Sequence, residues 1–560
     1  MRLLRALAWV CAASVWTGAA PAPVARSVLD LQSNRATSTI VLASGRTMRL
    51  VNLAPTTGRW YLLMLDPGSP GEVSYHLEVA EALREPLSVD ASAGGRIVLQ
   101  TQAGAQCVIS MPDLDSAHRR GGAFSPLCDG RLFVRNRVRG RRTAIEATTE
   151  FLRDHVWGGE RIIGFVRHQF YQDAFILRGG AAASRPPGTP SSTLPVPRLR
   201  PGTGDRRVVP TDLGIDIGDA AHGMRVGAWV PARGRPGVFV TVLVAAAVDG
   251  GARAPGHPAW QPDDVEAEAL DYFVAFDLSR FDVGFALGTE HPRLGWSGHT
   301  APAMLDADLP GPDGIATASP LVRVGMLNPA DVPRAVATFT GGFKREHGAF
   351  MHGPLATVNH SSHYGFVEQG VVFSTLQPGL STLTVASDGR VDIRTWQASD
   401  ESRLPALRFA RQNGAPLVES TTGGTAALGA FVDLWGPGNW SGSADERLRT
   451  LRAGACILEQ GQDRYLVYGY FSAATPGTMA RVFLSLGCRD AMHLDMNALE
   501  HTYLAVYGRA GDRLEVQHLV TGMSVLDQES GGRIAPRFIA FPDDRDFFYV
   551  LEKPATHRSR

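Results

Sequence analysis

Residues 486–501 read LGCRDAMHLDMNALEH, and the fold turns on how this stretch is read. It holds the end of an amphipathic helix, a short buried strand over 491–494, and an acid at the strand's exit, Asp495. A carboxylate at a strand end is held by a rigid element yet faces the loop side, where ligands bind. The helix before it spans 476–486, with Thr475 placed to cap it and Pro476 at its first position. About 150 residues upstream, 337–343 (ATFTGGF) repeats the design, an apolar strand running into a glycine pair. The functional question is whether these two strand ends meet.

Working outward, a run of strands surrounds both segments. Residues 272–276 and 283–287 pair around an Asp-Leu-Ser turn. Further strands are expected at 366–373, 383–386, 391–396, 455–459 and 464–470, with Asp388-Gly389 as a hairpin signal. The valine-rich run 238–248 is too short to cross a bilayer and reads as a buried strand. Residues 28–178 form a smaller β-rich N-terminal domain without an evident role, ending in a helix over 141–156. Residues 179–211 are a linker, with seven prolines between 179 and 210 and too little apolar surface to offset ordering entropy. Residues 212–264 supply lead-in strands. The expected fold class is α+β: a mixed β-sheet with flanking helices in the C-terminal domain, preceded by the smaller β-rich domain.

Composition narrows the function. At 560 residues, two or three domains are expected. Apolar residues are 44%, charged residues 20% and the formal net charge zero, which favours neither nucleic acid nor an anionic membrane as partner. Six arginines in 131–142 read as a solvated edge, although an anionic polymer would also suit them. Residues 1–22 read as a signal peptide, with Arg2 and Arg5 before an apolar run and a small-residue cut site, so a secreted or periplasmic location is expected without a stable membrane span in the mature chain. Cys107, Cys128, Cys456 and Cys488 remain after its removal. Proximity favours the disulfides Cys107–Cys128 and Cys456–Cys488, four buried thiols being the alternative.

Four constellations carry chemistry. Gly341 and Gly342 let the backbone approach a ligand closely, and Lys344 and Arg345 add cations suited to phosphate or carboxylate; a plain tight turn would give the same pattern. Residues 347–368 hold His347, His352, His360, His363 and Glu368, at a spacing that matches no metal motif. His352 lies in a turn beside the glycine pair, and no metal site is expected. Arg411 and Gln412 precede a Gly-Ala-Pro turn where they could orient a sugar or phosphate. Asp495 is the carboxylate candidate, with His493 as a proton-transfer candidate and Glu500 or Glu368 as second acids. No pattern names a cofactor.

In their order, these segments resemble the phosphodiester glycosidase domain family. The strand pair 272–287, a glycine-pair turn like "NGGFF" at 340–344, the hairpin 382–396, the stretch 411–419 and an "LG..DA.NLDGGGSS"-like end at 486–495 follow one another as in that family, covering about 265–545. The resemblance implies an exported hydrolase cleaving a sugar-1-phosphodiester or related glycosidic bond of an envelope or extracellular glycan, with a carbohydrate or sugar-phosphate substrate. Thr340 stands where the family has asparagine, Lys344 for its second phenylalanine and His493 for the asparagine before Leu-Asp. Met496-Asn497-Ala498-Leu499-Glu500 replaces the GGGSS loop, so the alternative is a non-catalytic polysaccharide-binding protein on the same fold.

Overall fold

The computed structural model describes residues 27–81, 85–100, 106–143, 146–147, 207–218, 223–248, 260–298, 300–345, 350, 353–358, 365–421, 423–434, 449–511, 513–530 and 532–554. The signal-peptide segment, most of the expected 141–156 helix, the linker up to 206, and His347, His352, His360 and His363 lie outside them.

The architecture is sheet on sheet, with 42% strand and 17% helix. This corrects the α+β expectation of a mixed sheet with flanking helices. Every pairing between the strands described is antiparallel. For neighbours that follow one another in the chain, the physical reason lies in the connections. Parallel neighbours need long crossovers, usually helical, whereas antiparallel neighbours close through tight turns. Thus Gly461, at φ +62°, turns the chain between Gln460 and Asp463, which pair directly.

The largest sheet has eight strands, in the order Val230–Pro231, Val238–Val244, Leu270–Asp277, Asp463–Ala474, Thr450–Gln460, Cys488–Met496, Pro416–Ser420 and Ala426–Leu428. Its outer face carries the helix Pro476–Leu486, capped by Thr475 and closed by Gly487 at φ +91°. That helix sits close because the facing strands carry glycine. A Cβ on Gly454 would fall 2.7 Å from Phe483, and one on Gly469 2.8 Å from Phe273 and 3.0 Å from Phe483. The strand Val238–Val244 is buried along its whole length, with Phe239 and Leu243 facing the helix side and Val240 and Val242 the other core. The continuous apolar run follows from burial on both faces.

Behind that sheet lie two five-stranded sheets. One runs Phe281–Ala286, Phe547–Glu552, Ala335–Thr340, Leu504–Ala510, Arg513–His518; the other Val371–Ser374, Phe366–Glu368, Leu407–Gln412, Ser381–Ala386, Val391–Thr395. The N-terminal part forms a six-stranded and a three-stranded sheet. Trp60 and Leu62 of the former enter the same apolar core as Phe373 and Phe548, so these sheets are welded by shared burial rather than tethered. Two disulfides form, Cys107–Cys128 and Cys456–Cys488; the second ties the neighbouring strands Thr450–Gln460 and Cys488–Met496. Such bonds fit an oxidising compartment. Among the described residues, no helix is long and apolar enough to cross a membrane.

Candidate active site

The two strand ends meet, and Asn413 is the residue that joins them. It follows the strand Leu407–Gln412, directly after Arg411 and Gln412. Its Oδ1 accepts the Phe343 N–H at 2.8 Å, and its Nδ2 donates to the His493 and Leu494 carbonyls at 2.6 and 2.8 Å. One buried amide thus satisfies groups on both strand ends, which its donor and acceptor set allows. The fit depends on Gly342, because a Cβ there would fall 2.5 Å from Asn413 Oδ1.

Asp495 lies beyond this clamp and is almost fully buried. Its Oδ2 accepts Arg545 Nη1 at 2.6 Å, and its Oδ1 accepts the Met496 N–H at 2.8 Å. Burial raises its pKa above the ordinary carboxyl value, against the opposing charges of Arg545 and His291. Arg545 also reaches Glu146 and, at 2.7 Å, His501 Nε2. Lys344 Nζ stands 3.5 Å from the same Glu146 oxygen. Burial alone would raise Glu146, but Arg545, His501 and Lys344 outweigh it and hold the carboxyl well below its usual range.

Glu146 arrives from the N-terminal part. Gly140 donates its N–H to Thr289 Oγ1 at 3.1 Å, and Arg141 exchanges backbone hydrogen bonds with Pro542 and Asp544. A Cβ on Gly140 would fall 2.4 Å from the Asp543 backbone, so glycine is what lets segment 140–143 lie against the 541–546 loop.

A second carboxylate, Asp546, sits at the other strand end. Arg411 Nε donates to it at 2.7 Å, His291 Nδ1 bonds its other oxygen, and its carbonyl accepts the Gly341 N–H at 2.9 Å. A Cβ on Gly341 would fall 2.2 Å from Asp546 Oδ2. Burial would raise Asp546, but Arg411 and His291 prevail and hold it well below the carboxylate range.

The other sequence-chosen residues divide. Gly341, Gly342, Lys344, Arg411 and Asp495 come together. His493 is beside them, but its ring lies edge-on to Phe343 at 4.7 Å and 3.4 Å from Arg452 Nη1. Burial, then Arg452, drives its pKa well below the usual imidazole value, which keeps it neutral. Glu500 is buried and accepts a hydrogen bond from Thr143 Oγ1 at 3.2 Å. Arg345 turns to the opposite side, to Asp313 at 3.0 Å. Gln412 ties the Gly365 and Gln377 backbone together. Glu368 accepts the Leu287 N–H at 3.0 Å and lies 3.7 Å from Arg135, and burial pushes it up to about 7; it braces the N-terminal sheet rather than the site.

The loop after Asp495 is packed rather than open. Asn497 adopts φ +79°, a conformation that asparagine tolerates and glycine favours. Met496 Sδ takes Arg452 Nη1 at 3.0 Å, and the Met496 carbonyl takes His501 Nδ1 at 2.6 Å.

Sequence reading passed over Asn413, Arg545, Asp546, His291 and Glu146. Asn413 adjoins residues that were chosen. The others come from FPDDRD (541–546), whose charges read as loop, from a lone histidine beside proline, and from a helical stretch about 350 residues upstream of Asp495.

No family model matches this chain, and no curated protein matches it. Among solved structures it is similar to the zebrafish N-acetylglucosamine-1-phosphodiester alpha-N-acetylglucosaminidase catalytic domain auto-inhibited by pro-peptide, at 9% identity and a TM-score of 0.29 over 57% of this chain and 85% of that one. A hypothetical protein from Synechocystis matches at 10% identity and a TM-score of 0.23, over 88% and 97% of the two chains. A putative exported protein from Burkholderia pseudomallei K96243 matches at 11% and 0.20, over 50% and 74%. Likenesses at this level carry no argument about activity.

Proposed function

We propose that this chain is an exported hydrolase that cleaves a sugar-1-phosphodiester or a related glycosidic bond of an envelope or extracellular glycan. The observation that supports this reading best is the cluster in which Arg545 bonds Asp495, Glu146 and His501 while Lys344 stands at the same Glu146 oxygen. A phosphodiester is a good leaving group, so the site's tasks are to hold the phosphate and to stabilise an oxocarbenium-like centre. Lys344 and Arg545 suit the first task, and Asp495 suits the second. Glu146 bonds Arg545 and lies 3.5 Å from Lys344, so on this reading an anionic substrate competes with it for these cations.

The test is hydrolysis of nitrophenyl-phosphate diesters of common hexoses and N-acetylhexosamines by the full chain. Release of phosphomonoester that disappears in Asp495→Asn is the expected result. Unchanged release in that variant removes the assignment.

A second reading, a polysaccharide-binding protein without turnover, has its own support. The side chains of 496–500 pack where a glycine loop would leave room, and Glu146 neutralises the cations. Binding on a glycan array without product formation would favour it.

A further inference from the structure

His291 is one of several buried groups around the site, with Glu146 and Arg545, that keep an atom without a hydrogen-bond partner among the described residues. It is 1% exposed, comes from the loop after the strand Phe281–Ala286, and lies in no segment that the sequence motifs mark. Its Nδ1 is held by Asp546, whose other oxygen is held by Arg411. Its Nε2 is buried and has no hydrogen-bond partner among the described residues. A buried nitrogen without a partner costs about 1–3 kcal/mol, and such a group asks for an explanation.

Asp546, kept ionised by Arg411, can only accept. It therefore selects the tautomer with the proton on Nδ1 and leaves the lone pair on Nε2, as carboxylate–imidazole pairs do. Through Asp546, whose carbonyl accepts the Gly341 N–H, the ring is tied to the glycine-pair end of the site. His493, the nearer histidine in sequence, packs its ring against Phe343 and Arg452.

We propose that His291 is the catalytic base of this site and that Asp546 is its positioning residue. The inference rests on the hydrolase reading above and deepens it. In the step, His291 Nε2 takes a proton from water as the water oxygen bonds to the anomeric carbon. The bond from that carbon to the phosphodiester oxygen breaks, and its electron pair stays on the phosphate. The products are the free sugar, a phosphomonoester and an imidazolium that returns its proton to solvent. Asp495 carries the developing positive charge on the sugar ring. Gly341 belongs to the device, since any side chain there would strike the Asp546 carboxylate.

The experiment uses the full chain and the nitrophenyl-phosphate diester panel. His291→Gln is expected to lose about 10²–10⁴-fold in kcat, with KM within about threefold. Sodium azide, a nucleophile that needs no proton removed, is expected to restore at least about tenfold of the loss as glycosyl azide. Asp546→Asn, which keeps the imidazole but reverses its preferred tautomer, is expected to show the same kcat loss at unchanged KM; it decides the matter if His291→Gln fails to fold. Nitrogen-15 NMR of labelled histidine is expected to show the Nδ1–H tautomer in the parent and its loss in Asp546→Asn. Retention of kcat in both variants while Asp495→Asn is inactive overturns the role of His291 and leaves the hydrolase reading standing. A parent protein that cleaves nothing in the panel overturns both.

Discussion

Asp495 and Asp546 are two buried carboxylates at the two ends of one site, and their surroundings push them in opposite directions. Asp546 is enclosed by Arg411, His291 and a backbone contact to Gly341, so it stays ionised. Asp495 leans on a single arginine that it shares with Glu146 and His501, and burial raises it. Pairs of titratable groups set apart in this way mark division of labour in acid–base sites. Asp546 has the environment of a fixed scaffold charge, whereas Asp495 has that of a group left responsive.

The comparison breaks first if the scaffold is not a scaffold. Arg411→Ala strands the Asp546 charge in the core and should cost about 3–5 kcal/mol of unfolding free energy in urea titration. A loss under about 1 kcal/mol would place Asp546 among weakly held groups. Next comes Asp495→Asn, expected to reduce kcat on sugar phosphodiesters by about 10²–10⁴-fold. Its stability should fall by only about 1–2 kcal/mol, because Arg545 keeps Glu146 and His501. A larger loss of stability than of turnover would make Asp495 the structural acid of the two.

Smaller effects sharpen the picture. Lys344→Ala should raise KM about 10–100-fold with kcat nearly unchanged, the signature of lost phosphate holding. Glu146→Gln should lower KM for the same anionic substrates by about fivefold, since a competing charge is removed. The smallest expected effect is in pH. Asp546, lowered in the folded state, contributes stability that is present above the unfolded carboxyl value of 3.8 and is lost as pH falls through its depressed folded value. Asp495, raised in the folded state, contributes stability that is present below 3.8 and is lost as pH rises through its raised value. Thermal unfolding against pH should therefore lose part of its acid slope in Asp546→Asn and part of its slope on the higher-pH side in Asp495→Asn. The same slopes in both variants would erase the distinction.

Much of the local structure was legible in the chain. The capped helix Pro476–Leu486 and the strand ending at Thr340 follow from period, capping and glycine signals, whereas the strand expected over 491–494 runs Cys488–Met496, so Asp495 lies within it and not at its exit. The mixed sheet with flanking helices was not a sound reading. Apolar alternation identifies strands but not the direction of their partners, and here every strand pairing among the described residues is antiparallel, including those between strands far apart in the chain. The adjacent cations Lys344 and Arg345 illustrate the limit within the site. One joins Glu146 and the other Asp313, a divergence that adjacency in the sequence does not reveal.

By itself, then, the sequence determined which elements form and that two of them end in chemistry-bearing residues, since periodicity, caps and glycine act over a few residues. Only the tertiary structure decided that Asn413 bridges those ends, that Glu146 reaches the site from the N-terminal part, and that Asp546 holds His291 with one nitrogen unpaired among the described residues. Those partners lie about 70 to 400 residues apart in the chain. Their meeting is set by sheet packing and buried charge balance, which no local pattern encodes.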